Sequence, residues 1–243
     1  RKYGRGVPQV LAAREEMARK IETQSDVKAT IAGLEKRAAD LLAGLSPVAE
    51  KIFRLRSRAA RKLAEAASKT LLGLGFKNAR LDIGLARLPE PSPDCGSSCE
   101  FSFSANPGQP LLPLAKIASS GELARVMLAL KTALAEADST PILVFDEVDA
   151  NVGGEVGAEV GKQLARLSKR HQVFCVTHLP QVAARADSHF LVEKSQTKTS
   201  TSVSISRIDS DVGLRVSELA RMLGDRNSDW AIAHAQKLLD KKF

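Results

Sequence analysis

The stretch Pro141-Ile142-Leu143-Val144-Phe145-Asp146-Glu147 decides the fold. Four apolar residues run directly into two acids, and a second apolar run closes on Thr177-His178. A buried parallel strand ending in Asp-Glu presents both carboxylates at the C-terminal edge of its sheet, where open α/β sheets bind ligands. Phosphoryl transfer uses such a pair, one acid to hold Mg²⁺ and one to polarise water. On that chemistry Asp146 is the candidate metal acid and Glu147 the candidate base. His178 caps the second run, where a neutral imidazole can donate one hydrogen bond and accept another at a γ-phosphate. No phosphate loop accompanies them. Gly157 and Gly161-Lys162 come nearest, but Val156 stands where the loop needs glycine and Gln163 where it needs Ser or Thr. That segment also reads as a helix interior. The sequence describes part of an ATPase.

Working outward, helices and strands alternate from Ser119 on. The pattern predicts a helix from Ser119 or Ser120 to about 137, a strand over 142–145, a helix near 155–169 and a strand over 172–177. A short helix at 180–186, strands near 189–193 and 202–207, and helices at 215–223 and 229–240 complete the chain. Such alternation argues for an α/β fold with a mostly parallel sheet covered by helices. Residues 78–117 read instead as β-rich, with alternation around Leu81, Ile83 and Leu85 and again at Phe101 and Phe103. Proline-rich turns follow at 89–94 and at Asn106-Pro107-Gly108-Gln109-Pro110. Ala118-Ser119-Ser120-Gly121-Glu122 opens the helix that precedes the Asp-Glu strand. Free N–H groups and the helix dipole favour an anion at such an end, and a hydroxyl adds a donor.

Residues 8–74 read as one long helix. A seven-residue repeat places Val10, Met17, Gln24, Ile31, Ala38, Leu45 and Ile52 at one seam position. Ala13, Lys20, Val27, Leu34, Leu41, Val48 and Leu55 fall three residues later. The boundaries expected are a coiled-coil arm over 1–74, kinked near Ser46-Pro47, and a globular part over 75–243. A single apolar stripe of this length needs a partner helix, and the later sequence offers none of matching length.

The charge pattern follows the same division. Residues 1–77 hold 17 Lys/Arg against 8 Asp/Glu, while the rest holds 19 against 20. A basic extension beside a near-neutral body suits a polyanion partner. Arg54, Arg56, Arg58, Arg61 and Lys62 crowd the end of the arm and are the candidate contacts to double-stranded DNA. Aromatic content of 4% argues against a base-stacking platform for single strands. Three sparse cysteines, Cys95, Cys99 and Cys175, suit a reducing cytoplasm rather than a disulfide framework. No apolar run reaches the roughly 18 residues of a membrane span. The first residue is Arg1 rather than Met, which suggests a fragment or a processed product.

Together these pieces resemble the C-terminal half of an ABC-type ATPase head of the SMC kind, in its bacterial DNA-repair branch. Lys2-Tyr3-Gly4, the Asn106–Pro110 turn, Ser119–Lys131, Phe145-Asp146-Glu147-Val148-Asp149 and Val176–Ala183 carry the resemblance. It implies a C-terminal head lobe joined to a coiled-coil arm, with ATP and Mg²⁺ as ligands. Ser119, Ser120, Gly121 and Glu122 would form the signature motif, which contacts nucleotide bound on the opposite head. Asp146 would be the Walker B metal acid, Glu147 the catalytic base, Asp149 the interface-loop acid and His178 the switch histidine. The implied partners are an N-terminal lobe and returning coiled-coil arm of the same protein, a second head in a homodimer, and double-stranded DNA. The implied place is the nucleoid in the cytoplasm, with no membrane. The implied function is recombinational repair of double-strand breaks. Two positions depart from the pattern: the signature usually reads Ser-Gly-Gly, and Asn151 stands where glycine is usual. Asn tolerates positive φ better than most residues, so the turn at 151 is expected to survive. The alternatives are another SMC-like or Rad50-like chromosome-organising ATPase, or a structural DNA tether without turnover.

Overall fold

The structure, a computed structural model, describes residues 6–88, 96–196 and 200–240. Lys2-Tyr3-Gly4, the 89–94 turn and Cys95 lie outside the described residues. The chain divides into two units, 1–57 with 86–98, and 58–85 with 99–243. This division falls inside the long helix. None of the described helices is long and apolar enough to cross a membrane.

Helix α1 spans Val7–Gly73 and passes through Pro47 as one element. Pro47 therefore does not end the helix, and Ser46 does not start a new one. In the first unit the predicted seam is open to solvent: Val10, Met17, Val27, Ile31, Leu34, Leu41, Leu45, Val48 and Leu55 are each about half exposed or more. Near the seam's end Glu50 holds two arginines, Arg54 at 2.7 Å and Arg87 at 2.6 Å. Arg87 also lies over the Phe53 ring, 4.6 Å from its centroid.

In the second unit α1 turns inward. Ala67 and Leu71 are buried, and the helix ends in a Schellman motif at Gly75. Gly75 has φ +91, and the Phe76 N–H bonds to the Leu71 carbonyl at 3.1 Å. That stop drives Phe76 into the core, edge-on to Phe103 with ring centroids 5.3 Å apart. Phe103 lies on β2 (Ser97–Ser104), the central strand of a three-stranded sheet with β1 (Arg80–Arg87) and β3 (Leu112–Pro113). β2 and β3 pair antiparallel, Phe103 opposite Leu112.

Helix α2 (Ser120–Leu134) contributes Val126, Leu128, Ala129 and Leu130 to the same core. The turn after α2 is pinned by Asp138, which accepts from Lys131 at 2.6 Å and from the Thr140 N–H and hydroxyl. The Lys131 bond, then those from Thr140, hold this carboxyl well below the usual carboxylate range. β4 (Ile142–Phe145) then pairs in parallel with β5 (Gln172–Cys175), Phe145 opposite Cys175. The β2–β3 pair and the ribbon of the last two strands, by contrast, are antiparallel.

Leu143 and Phe145 join the core, but Ile142 and Val144 are 51% and 70% exposed, and Phe174 and Val176 are 48% and 65% exposed. The strand expected to be buried is thus covered on one face only. The apolar residues of its other face meet solvent, because helices pack on a single side. α3 (Gly154–Leu167) lies close against α4 (Pro180–Ala183): a Cβ on Gly161 would stand 3.0 Å from the Gln181 carbonyl and 3.2 Å from the Val182 Cα. Gly157 and Gly161 are therefore packing glycines in a helix interior, as the rejection of a phosphate loop required. An antiparallel ribbon, β6 (Phe190–Gln196) with β7 (Thr201–Arg207), and a pair of helices, α5 (Val212–Met222) and α6 (Asp229–Asp240), complete the unit. The helix pair packs on α4 through Ala183, Ala184, Leu219, Ala220 and Ala235.

Candidate functional site

The site forms where β4, β5 and α2 end together in the second unit. Asp146 and Glu147 leave β4 into a turn closed by a bond from the Ala150 N–H to the Glu147 carbonyl, 3.0 Å. Two residues of this turn take left-handed backbone, Glu147 at φ 56 and Asn151 at φ 58. The expected positive φ at Asn151 is therefore present. For Glu147 the same conformation costs about 1–2 kcal/mol, and such outliers cluster at functional sites.

Asp149 is the hub of the turn. It is 2% exposed, and its Oδ2 accepts from the Thr177 hydroxyl, the His178 N–H at 3.0 Å and the Leu179 N–H at 3.3 Å. The His178 Nδ1 lies 3.4 Å from the same oxygen, while the His178 ring is 68% exposed. A buried carboxylate is tolerable only with several donors on it. One side chain thus fixes the loop after β5 against the loop after β4 and leaves the imidazole facing solvent.

The start of α2 packs on this turn. Ser119 caps the helix, its hydroxyl accepting from the Glu122 N–H at 3.4 Å. The Ser120 hydroxyl donates to a carboxylate oxygen of Glu147. A Cβ on Gly121 would stand 2.9 Å from the Ala150 Cβ and 3.2 Å from the Glu147 carbonyl, so only glycine fits. Asp146 follows β4 directly and is exposed. Its carboxylate takes no hydrogen bond from the described residues. Cys175, opposite Phe145, has its thiol pushed up to about 12 by burial and then by the negative fields of Asp149 and Asp146. It stays a neutral thiol beside the acids.

Two participants are not evident from the sequence. The sequence marks Thr177 only as half of a Thr-His pair; its hydroxyl both donates to Asp149 and accepts from the Leu179 N–H at 3.0 Å. Arg125, one turn beyond Gly121, is buried; its Nη1 donates to the Ala150 carbonyl at 3.0 Å and its guanidinium lies 5.1 Å from the Phe76 ring centroid. Burial lowers its pKa, while Glu122 and then Asp149 oppose that shift. A basic residue on the apolar face of an amphipathic helix was the available signal. The five basic candidates on α1 are not part of this network. In the first unit Arg54 is paired with Glu50 and Arg56 donates to the Ser97 hydroxyl at 2.8 Å. In the second, Arg58, Arg61 and Lys62 are exposed at spacings that share one helix face.

Comparison with known proteins gives a consistent set of relatives. Over 245 residues the chain is 40% identical to DNA repair protein RecN of Xylella fastidiosa strain 9a5c, a match covering 99% of this chain and 43% of that protein. The chain is homologous to DNA repair protein RecN. The RecN of Deinococcus radiodurans is 40% identical over 242 residues, 98% of this chain and 42% of that protein. The RecN of Mycobacterium tuberculosis H37Rv is 38% identical over 262 residues, 99% of this chain and 44% of that protein. The chain spans less than half the length of these RecN relatives, and the matched part is their C-terminal half. No protein-family model matches it. Among solved structures, the Smc head domain of Pyrococcus furiosus with an extended coiled coil, bound to the C-terminal domain of ScpA, superposes with a TM-score of 0.50 at 17% identity. That match covers 84% of this chain and 50% of the Smc chain. The fold is that of an SMC-type head with a long N-terminal helix.

The close packing at Gly121 sets opposite signs for two glycine substitutions. Gly121→Ala is expected to destabilise by about 1–3 kcal/mol, through overpacking against backbone. Gly33→Ala, with nothing within 4 Å of its Cβ position, should stabilise the arm by up to about 1 kcal/mol. Denaturant midpoints for the two variants check both signs.

Proposed function

We propose that the intact protein is an ATP-dependent DNA-repair ATPase of the SMC-like type, and that this chain supplies one face of its composite active site. The observation that carries the reading is the Asp149-centred network. It joins the turn after Asp146-Glu147 to His178 beside the α2 start. In this reading Asp146, with its carboxylate free of described partners, holds Mg²⁺. The ion, when bound, neutralises charge on the phosphate oxygens. Glu147 takes a proton from the attacking water, and His178 contacts the γ-phosphate. Ser119, Ser120, Gly121 and Glu122 face the nucleotide bound on a second head, and Asp149 shapes the loop that crosses between heads.

The rest of the active site comes from an N-terminal lobe and a returning arm of the same protein. The open apolar face of β4–β5 and the exposed seam of α1 support that need. ATP then acts as a gate: engagement closes two heads as a homodimer, and hydrolysis releases them. DNA repair is the role that the relatives' name carries, and recombinational repair of double-strand breaks on the nucleoid is the form of it proposed here. A tether without turnover is the second reading, favoured only by Ser120 and Asn151 standing where glycine is usual.

Glu147→Gln in the full-length protein is expected to cut turnover by about a hundredfold or more and to accumulate ATP-bound dimers. Size-exclusion chromatography with ATP checks this, and unchanged turnover would defeat the assignment. For DNA, we propose that Arg58, Arg61 and Lys62, with Arg54 and Arg56 contributing, contact phosphates without reading sequence. Reversing Arg58, Arg61 and Lys62 to Glu should weaken double-stranded DNA binding. It should also reduce the slope of log affinity against log salt by about one for each phosphate no longer neutralised. An unaltered slope places the DNA site elsewhere.

A further inference from the structure

Ser120 replaces a glycine of the usual signature, and its hydroxyl donates to the Glu147 carboxylate of the same chain. Both residues are exposed, so burial does not force the contact. Glu147 makes it from a left-handed backbone, φ 56, which a residue bearing a Cβ rarely adopts. Its carbonyl is held as well, accepting from the Ala150 N–H at 3.0 Å, with Gly121 leaving room for the turn. Glu147 is therefore fixed at its backbone by the turn and at its carboxylate by Ser120.

A serine hydroxyl has one proton to donate. A carboxylate and a phosphate oxygen are both acceptors, so one hydroxyl cannot serve the two at once. We propose that Ser120 is a positioning residue that holds Glu147 in a resting orientation in the nucleotide-free head. It releases Glu147 when the phosphate of a nucleotide carried by a second head takes the same proton. This rests on the reading above, in which Glu147 is the base and the α2 start faces nucleotide across the dimer. The consequence is a coupling that a glycine at position 120 cannot provide: the base on one head is freed by the nucleotide of the other. Hydrolysis is thereby tied to engagement of the pair.

The test uses the full-length protein with Ser120→Ala, Ser120→Thr and Glu147→Gln. Carbodiimide labelling of carboxylates without nucleotide, read by mass spectrometry, compares Glu147 with exposed Glu155 as an internal reference. Ser120→Ala should raise Glu147 labelling about fivefold, the scale of one net hydrogen bond. Ser120→Thr, which keeps the hydroxyl, should stay at the wild-type rate. Turnover per head should rise with protein concentration in the wild type. Ser120→Ala should flatten that dependence by retaining turnover below the pairing concentration, and Ser120→Thr should restore it. Unchanged labelling in Ser120→Ala overturns the proposal. So does a raised KM for ATP with the concentration dependence intact, which is the mark of a contact to nucleotide alone. Wild-type turnover in Glu147→Gln removes the base assignment itself and the proposal with it; an inactive Glu147→Gln with unchanged labelling in Ser120→Ala removes only the latch.

Discussion

One buried carboxylate organises the end of this sheet. Asp149 has 2% of its surface exposed and must find donors. It finds the Thr177 hydroxyl and two successive N–H groups, at His178 and Leu179. A buried charge with these bonds is tolerated, but without them it costs several kcal/mol. The loops after β4 and β5 are thus locked to each other rather than merely adjacent. Everything that crowds this edge inherits that geometry: the Glu147–Ala150 turn, Gly121 against it, and Arg125 donating to the Ala150 carbonyl.

Much of this was legible in the sequence, for physical reasons. The apolar run into Asp146-Glu147 placed β4 over Ile142–Phe145, because a continuous run bounded by Thr-Pro and two acids has few other uses. The Ser119 cap and the heptad pattern placed the starts of α2 and α1. Less legible was the one-sided burial of β4. An apolar run looks the same whether this chain or another segment covers its second face. The helix does continue through Pro47, as the unbroken heptad phase across it suggested, because a long helix can absorb one missing hydrogen bond. Arg125 was hidden for a related reason: a basic residue in a helix reads as solvent-facing until a buried carbonyl and an aromatic ring are seen to receive it.

A parallel pair exposing Val144 and Val176, and an arm exposing its seam, leave apolar area open to solvent. The chain matches RecN relatives over less than half their length. On the proposed reading, a composite site made from two lobes and two heads would account for a chain that carries paired acids, a histidine and a helix N-terminus but no phosphate loop.

On the proposed reading, the Asp149 network serves nucleotide hydrolysis rather than folding alone. The most direct measurement is steady-state ATP turnover by the full-length protein carrying Asp149→Ala, taken well below that variant's own unfolding midpoint. Turnover is expected to be lower by about tenfold or more while the protein is still folded, since His178 and the turn bearing Glu147 lose their common anchor. Turnover within twofold of the wild type would mean that Asp149 only holds the fold together, and would contradict the account.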